Sequence, residues 1–205
     1  RYDRIGDMLI STPVFREFKL AYPNTNVIVL ASEVNKDILI NNPYIDEVII
    51  NNKNNLLRDI SSLLRLRKLN IDACVEFDHS VVLHAIIRLR IINPKKIISV
   101  QKMGRYGILG DDLEMYNLYT EKKKNCHFRD IWLDTLEPFG IFTKSNKYDL
   151  FINNKHEDKA LNFLNQFKSK CKIGINLEGA VKGKKINTNE LVQICEGIKK
   201  INQSI

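Results

Sequence analysis

Residues 1–15 read RYDRIGDMLISTPVF, a string that joins a glycine-aspartate pair to an apolar helical pattern. The pattern predicts a helix from Met8 to Ala21, in which Thr12-Pro13 either marks the first turn or bends the helix slightly. Gly6 can turn the backbone sharply just before this helix and lie close to a ligand. Asp7 falls at the helix opening, where unpaired N–H groups and the positive dipole end stabilise a carboxylate. Asp7 is therefore a candidate catalytic base, although Gly-Asp pairs also occur as simple turns and helix caps.

The longer string resembles the opening of the heptosyltransferase-like glycosyltransferases, family 9 of the sugar transferases. The residues that carry the resemblance are DRIGD, then STPVFREF, then Tyr22-Pro23. It implies an α/β protein of GT-B type, with two Rossmann-like domains facing a cleft, and it makes Asp7 the general base of an inverting sugar transfer.

The same resemblance implies the reactants. The donor would be a nucleotide-sugar, ADP-heptose in particular. The acceptor would be an anionic glycolipid of the lipopolysaccharide or lipooligosaccharide core at the inner membrane surface. No metal or cofactor enters this scheme, because lysine and backbone donors can neutralise the departing diphosphate.

Composition sets the outer bounds. The chain has 205 residues, of which 44% are hydrophobic and 27% charged, a globular composition that suits one domain plus part of another. No apolar run approaches the roughly 18 residues of a membrane helix, and no secretory signal opens the chain. We therefore expect a cytoplasmic protein, or one held peripherally on the inner face of the cytoplasmic membrane.

Cysteine and histidine form no metal-binding pattern in the sequence. The cysteines are widely spaced and are expected to be reduced packing residues: Cys74, Cys126, Cys171 and Cys195. His79 and His84, five residues apart, would not share one helical face. We expect no metal site.

The net charge is +8, and the basic residues are clustered. The groups are Arg88, Arg90, Lys95 and Lys96, then Lys102 and Arg105, then Lys122-Lys123-Lys124. Such groups occur on solvated protein surfaces. They would also suit binding to an anionic membrane surface, a phosphorylated acceptor or nucleic acid. Nucleic acid ranks last because no aromatic stacking motif accompanies the charge. Arg4, Lys102 and Arg105 are the candidate acceptor-side residues.

Short β-branched runs alternate with helical stretches, which predicts a parallel sheet covered on both faces. The predicted strands are residues 26–30, 48–50, 71–77 and 96–100, and the predicted helices are 34–40, 56–69 and 80–91. Residues 101–125 interrupt this rhythm, and long irregular stretches tend to be functional or mobile. A helix over 127–139 follows and ends at Gly140.

Residues 144–154 are expected to lead out of the first domain through the extended run Tyr148–Ile152, before a helix over 155–170. Residues 172–177 then predict the first strand of a second domain, followed by a basic glycine-containing loop and a helix over 188–201. Such a loop can hold phosphate, although an ordinary connection also fits and no phosphate-loop consensus is present. By the resemblance, the Gly179 and Ala180 backbones and the Lys184 charge contact the donor pyrophosphate.

The predicted domains are residues 1–153, a Rossmann-like acceptor-side domain, and residues 154–205, a linker helix and the start of a donor domain. By the resemblance the chain is a fragment that stops early in the donor domain, so we expect it to be inactive by itself. Two other functions stay open. One is a noncatalytic carbohydrate- or nucleotide-binding module, and the other is a peripheral membrane or nucleic-acid-binding domain selected for its charge.

Overall fold

The computed structural model describes residues 4–51, 55–78, 80–102, 113–120, 125–168, 172–176 and 186–201. The elements in chain order are α1 (Ile5–Ala21), β1 (Ile28–Ser32), β2 (Glu47–Asn51), α2 (Leu56–Lys68), β3 (Ala73–Glu76), α3 (Leu83–Ile92), β4 (Lys96–Val100), β5 (Leu118–Thr120), α4 (Phe128–Asp134), α5 (Asn154–Asn165) and α6 (Thr188–Ile201). Short 3-10 helices cover Lys36–Leu39 and Glu137–Phe139. The chain divides into two compact units, Arg1–Ile152 and Asn153–Ile205.

Every described strand pair in the first unit is parallel. β1 pairs with β2, with Val29 opposite Val48, and β4 lies between β3 and β5, with Ile98 opposite Leu118. Parallel neighbours require crossover connections, which place helices on the faces of the sheet. The predicted α/β class with parallel strands is confirmed.

Both faces of the β1-β2 sheet carry buried core residues. On one face α1 packs against β1 in a cluster of Met8, Phe15, Val29, Ala31 and Leu39. On the other face the core residues come from β2, α2 and α3: Ile49, Leu63, Leu66 and Ile92. Alternate residues of a strand point to opposite faces, so a short apolar run such as Val48–Ile50 serves both cores.

α1 also packs on the sheet that contains β4. Its Val14 lies in a cluster with Val100 and with Trp132 of α4, and all three are buried. Phe77, which directly follows β3, packs against this cluster and also against the cluster that contains Met8. α1 therefore joins the cores of the two sheets.

Pro13 lies inside α1 and is accommodated by its neighbour. Proline has no N–H, so it cannot donate to the carbonyl of Leu9 four residues earlier. The Thr12 hydroxyl, fully buried, donates to that carbonyl at 2.8 Å, and it accepts the Asp149 N–H at 2.9 Å. One side chain thus compensates for the proline and holds the extended segment that leads to the second unit.

Asp149 is also held by its side chain. Its carboxylate forms an ion pair with Arg16 of α1, and Arg16 donates a further hydrogen bond to Ser145 at 2.6 Å. Residues 141–153 form no strand, and the contacts of Asp149 and Ser145 come from side chains of α1.

Several element boundaries differ from the sequence predictions. α1 begins at Ile5 rather than Met8, so Gly6 lies in its first turn and makes no turn before it. Strand β5 lies within the stretch that was predicted to be irregular; it is three residues long and is recognisable only through its pairing with β4.

In the second unit the described residues form two helices, α5 and α6. The strand predicted over 172–177 is not found in the described residues 172–176. A strand is defined by hydrogen bonds to a partner, and an apolar run alone does not provide one. No helix in the described part of the chain combines the length and the apolar character needed to cross a membrane.

Thr12→Val tests the role of the buried hydroxyl. The change keeps the shape of the side chain but leaves the Leu9 carbonyl and the Asp149 N–H without their partner, so we expect a loss of about 1–3 kcal/mol in the free energy of unfolding. Urea denaturation measures it. Thr143→Val is the control, because the half-buried Thr143 hydroxyl makes one long bond of 3.3 Å to Glu17. Equal stability of the two variants would contradict this role.

Cys74 of β3 should be the least reactive of the described cysteines. Burial raises the pKa of this thiol to about 12, and the nearby Glu76 carboxylate adds to the shift. The thiolate is the reactive form, so at pH 8 we expect Cys74 to be alkylated at least roughly tenfold more slowly than Cys126 and Cys195, which are exposed. Mass spectrometry of iodoacetamide-treated native protein measures the rates, and denatured protein, in which Cys74 should react normally, is the control.

Candidate active site

The carboxyl ends of the strands and the start of α1 lie at the same edge of the first unit. The short connection 22–27 returns the chain from the end of α1 into β1, so the first turn of α1 lies where β1 ends. The shared core agrees, because Met8 of α1 and Ala31 near the end of β1 belong to one core cluster, against which Phe77, just after β3, also packs. In parallel α/β sheets this edge is the usual position of ligand sites.

Asp7 occupies the third position of α1, with Arg4 as the residue that precedes the helix. Arg4 and Asp7 are therefore in one turn, and the Arg4 carbonyl accepts the Met8 N–H at 3.2 Å. Asp7 itself is half-buried, whereas its neighbours Arg4 and Gly6 are exposed, and a Cβ built on Gly6 would meet nothing within 4 Å. The surface at Gly6 is therefore open, although its backbone is ordinary helix.

Lys102 lies two residues beyond β4 and points into the protein. Its side chain is 1% exposed and forms an ion pair with Glu76, the last residue of β3. The ammonium also donates to the Asp78 carbonyl and to the Ser99 hydroxyl, the latter at 2.8 Å. The face that carries Glu76 and Ser99 is opposite to the one on which Val100 meets α1, because strand residues alternate.

Two charges of opposite sign act on Glu76. Burial raises the pKa of this carboxyl above its ordinary value, the Lys102 ammonium opposes the rise, and the Asp78 carboxylate reinforces it. Asp7, Glu76 and Asp78 thus bring three carboxyl groups to this edge of the unit, with one buried cation.

Two residues of the predicted basic clusters are not on solvated faces. Arg88 of α3 is buried and donates to Asn51 at 3.0 Å and to Asp59 at 3.2 Å. Lys102 is buried against Glu76, so its charge is not displayed to an anionic surface. A buried cation needs an acidic partner, and here both partners, Asp59 and Glu76, are distant in sequence, so residue spacing alone does not reveal them.

The other predicted site residues lie outside the described part of the chain. These are Arg105 on the acceptor side, and Gly179, Ala180 and Lys184 of the donor loop. A cavity of about 510 Å³ lies between α4 and residues 143–146, and none of the predicted site residues lines it. Within the described residues, no group of three or more histidine, cysteine or acidic side chains is placed to hold a metal ion.

Sequence reasoning missed Glu76, Asp78 and Ser99. A signal for Glu76 exists, because an acidic residue ends the apolar run of residues 71–77 at the point where a buried strand is predicted to stop. A charged side chain at the end of a buried strand needs a pairing group inside the protein. Its partner is 26 residues away and is found only once β3 and β4 pair.

No protein-family model matches the sequence. No match was found among curated proteins. Solved structures do match. The crystal structure of a glycosyl transferase family 9 protein from Veillonella parvula DSM 2008 has a TM-score of 0.75 at 18% identity, covering 98% of this chain and 59% of that one. An ADP-heptose lps heptosyltransferase II from E. coli has a TM-score of 0.68 at 13% identity, covering 97% of this chain and 60% of that one.

The chain thus spans about three-fifths of the length of both structures. At these identities the likeness concerns the path of the backbone. The predicted resemblance is confirmed at the level of the fold: this chain has the GT-B-type α/β fold of glycosyltransferase family 9 and heptosyltransferase structures.

Proposed function

We propose that this chain belongs to an inverting glycosyltransferase that moves a sugar from a nucleotide-sugar donor to an acceptor hydroxyl. The observation that carries the proposal is the position of Asp7. A carboxylate in the first turn of α1, beside the open surface at Gly6, lies at the carboxyl edge of a fold shared with glycosyltransferases. A base at that position can reach a bound hydroxyl without displacing any side chain of residue 6.

In the proposed reaction Asp7 accepts the proton of the acceptor hydroxyl while that oxygen forms a bond to the anomeric carbon of the donor sugar. The bond from that carbon to the diphosphate breaks, and the nucleoside diphosphate departs with the electron pair. Attack from the opposite side inverts the anomeric centre. Lys184 and the backbone N–H groups of Gly179 and Ala180 are proposed to stabilise the charge on the leaving group.

The proposed donor is ADP-heptose, and the proposed acceptor is a lipopolysaccharide or lipooligosaccharide core glycolipid at the inner membrane surface. The support for these reactants is the sequence resemblance in residues 3–23, together with the fold shared with a structure described as an ADP-heptose heptosyltransferase. The net charge of +8 suits an anionic acceptor and membrane surface. A panel of nucleotide-sugars assayed with the full-length protein tests the donor.

Asp7→Asn keeps the shape of the side chain and removes its basicity. We expect turnover of the full-length protein to fall by roughly 100-fold or more, with little change in donor affinity. Asp130→Asn is the matched control, because Asp130 is an acidic residue at the same third position of α4. Initial rates and donor binding measure the effect, and near-normal turnover of Asp7→Asn would exclude Asp7 as the base.

Lys184→Ala tests the donor loop. If the ammonium contacts the diphosphate, its removal should weaken nucleoside diphosphate binding by about 1–3 kcal/mol, the range for a hydrogen bond to a charged group. Titration calorimetry with ADP measures the affinity. Lys199→Ala, at an exposed position in the last turn of α6, is the control and should leave it unchanged. Equal affinities in all three proteins would count against a donor role for Lys184.

A further inference from the structure

Lys102 is a buried cation whose hydrogen bonds are all accounted for by the chain. Its ammonium has three protons, and it meets three acceptors: the Glu76 carboxylate, the Asp78 carbonyl and the Ser99 hydroxyl. The ring of Tyr116 lies 4.8 Å from the same nitrogen. Lys102 is therefore held in one position at the ends of β3 and β4.

The backbone of Asp78 is held on both sides by this pair. Its carbonyl accepts from Lys102, and its N–H donates to the Glu76 carboxylate at 2.7 Å. Ser99 completes the connection between the strands, since its hydroxyl donates to the Glu76 carbonyl at 2.8 Å. The chain leaving β3 is thus fixed at the residue where it turns away from the sheet.

The fixed residue lies at the edge that carries Asp7. Phe77 packs against the core cluster to which Met8, the neighbour of Asp7, contributes, and the residues just after β3 lie at the carboxyl edge of the strands, where α1 begins. Asp78 follows Phe77 directly and is half-buried.

Removing the charges of Glu76 and Lys102 from water is costly, and a buried ion pair is a weak source of stability. The contacts of this pair instead determine where Asp78 lies.

We propose that Lys102, through Glu76, is a positioning residue for Asp78, and that the Asp78 carboxylate binds hydroxyl groups of the acceptor sugar beside Asp7. A carboxylate accepts hydrogen bonds from adjacent sugar hydroxyls and can orient the one that reacts. The acceptor part of this proposal rests on the proposed function. The positioning part concerns the backbone of Asp78 and can be measured separately.

The kinetic test uses the full-length protein. Lys102→Met should raise the KM for the acceptor at least roughly tenfold while the KM for the donor changes by less than about twofold. In an Asp78→Asn background the same substitution should add less than about threefold, because both changes act on one interaction. A similar rise in both KM values, or an undiminished effect in the Asp78→Asn background, would overturn the proposal.

The matched control is Lys95→Met. Lys95 also forms an ion pair across the β3-β4 pair, with Asp72, but at the opposite end and in an exposed position. It should leave both KM values unchanged. If Lys102→Met fails to fold, Glu76→Gln combined with Lys102→Met removes both buried charges and serves in its place. This double variant should still show the raised acceptor KM, and a normal acceptor KM would overturn the proposal.

Amide hydrogen exchange separates this proposal from the proposed function. The Asp78 amide should be protected in the parent and in Lys95→Met, and should lose its protection at least roughly tenfold in Lys102→Met. Unchanged protection would overturn the positioning role, whatever the activity. If the parent transfers no sugar from any donor, the proposed function and the acceptor role of Asp78 fail together, while the exchange rates still decide how Asp78 is held.

Discussion

The packing of α1 against both parallel sheets is the interaction on which the rest of the first unit depends. Met8 and Phe15 bury one side of the helix on β1, and Val14 buries another on β4 and α4. A helix held on two surfaces cannot rotate or slide without opening a core, and close-packed cores resist such openings. Because Asp7 lies in the first turn of this helix, the packing of α1 also fixes the location of the candidate base.

The same helix holds the chain that leads toward the second unit. Thr12 and Arg16, on successive turns, bind the backbone and the carboxylate of Asp149. Side-chain contacts replace the hydrogen bonds that a strand would make here. The Thr12 hydroxyl donates to the Leu9 carbonyl, to which Pro13 cannot donate, and it also accepts the Asp149 N–H. Thr12 therefore stabilises both the helix and the segment that contains Asp149.

Charge at the carboxyl edge is arranged by depth. Asp7 is half-buried and follows the exposed Gly6, where the surface is open. The Glu76 side chain is only 11% exposed, and burial raises the pKa of its carboxyl, a rise that the Lys102 ammonium opposes. The acidic groups at this edge thus differ in their surroundings, and the Glu76–Lys102 pair makes hydrogen bonds to the backbone of Asp78.

The sequence by itself determined the α/β class and most element positions, because these depend on local periodicity, whereas Asp7 as the base stays a prediction from the resemblance. Tertiary structure decided the rest. It showed β5, which exists only through β4, and paired Glu76 with Lys102 and Arg88 with Asp59. Strand pairing and buried charge depend on residues far apart in sequence that meet only in the folded chain, so no local pattern contains them.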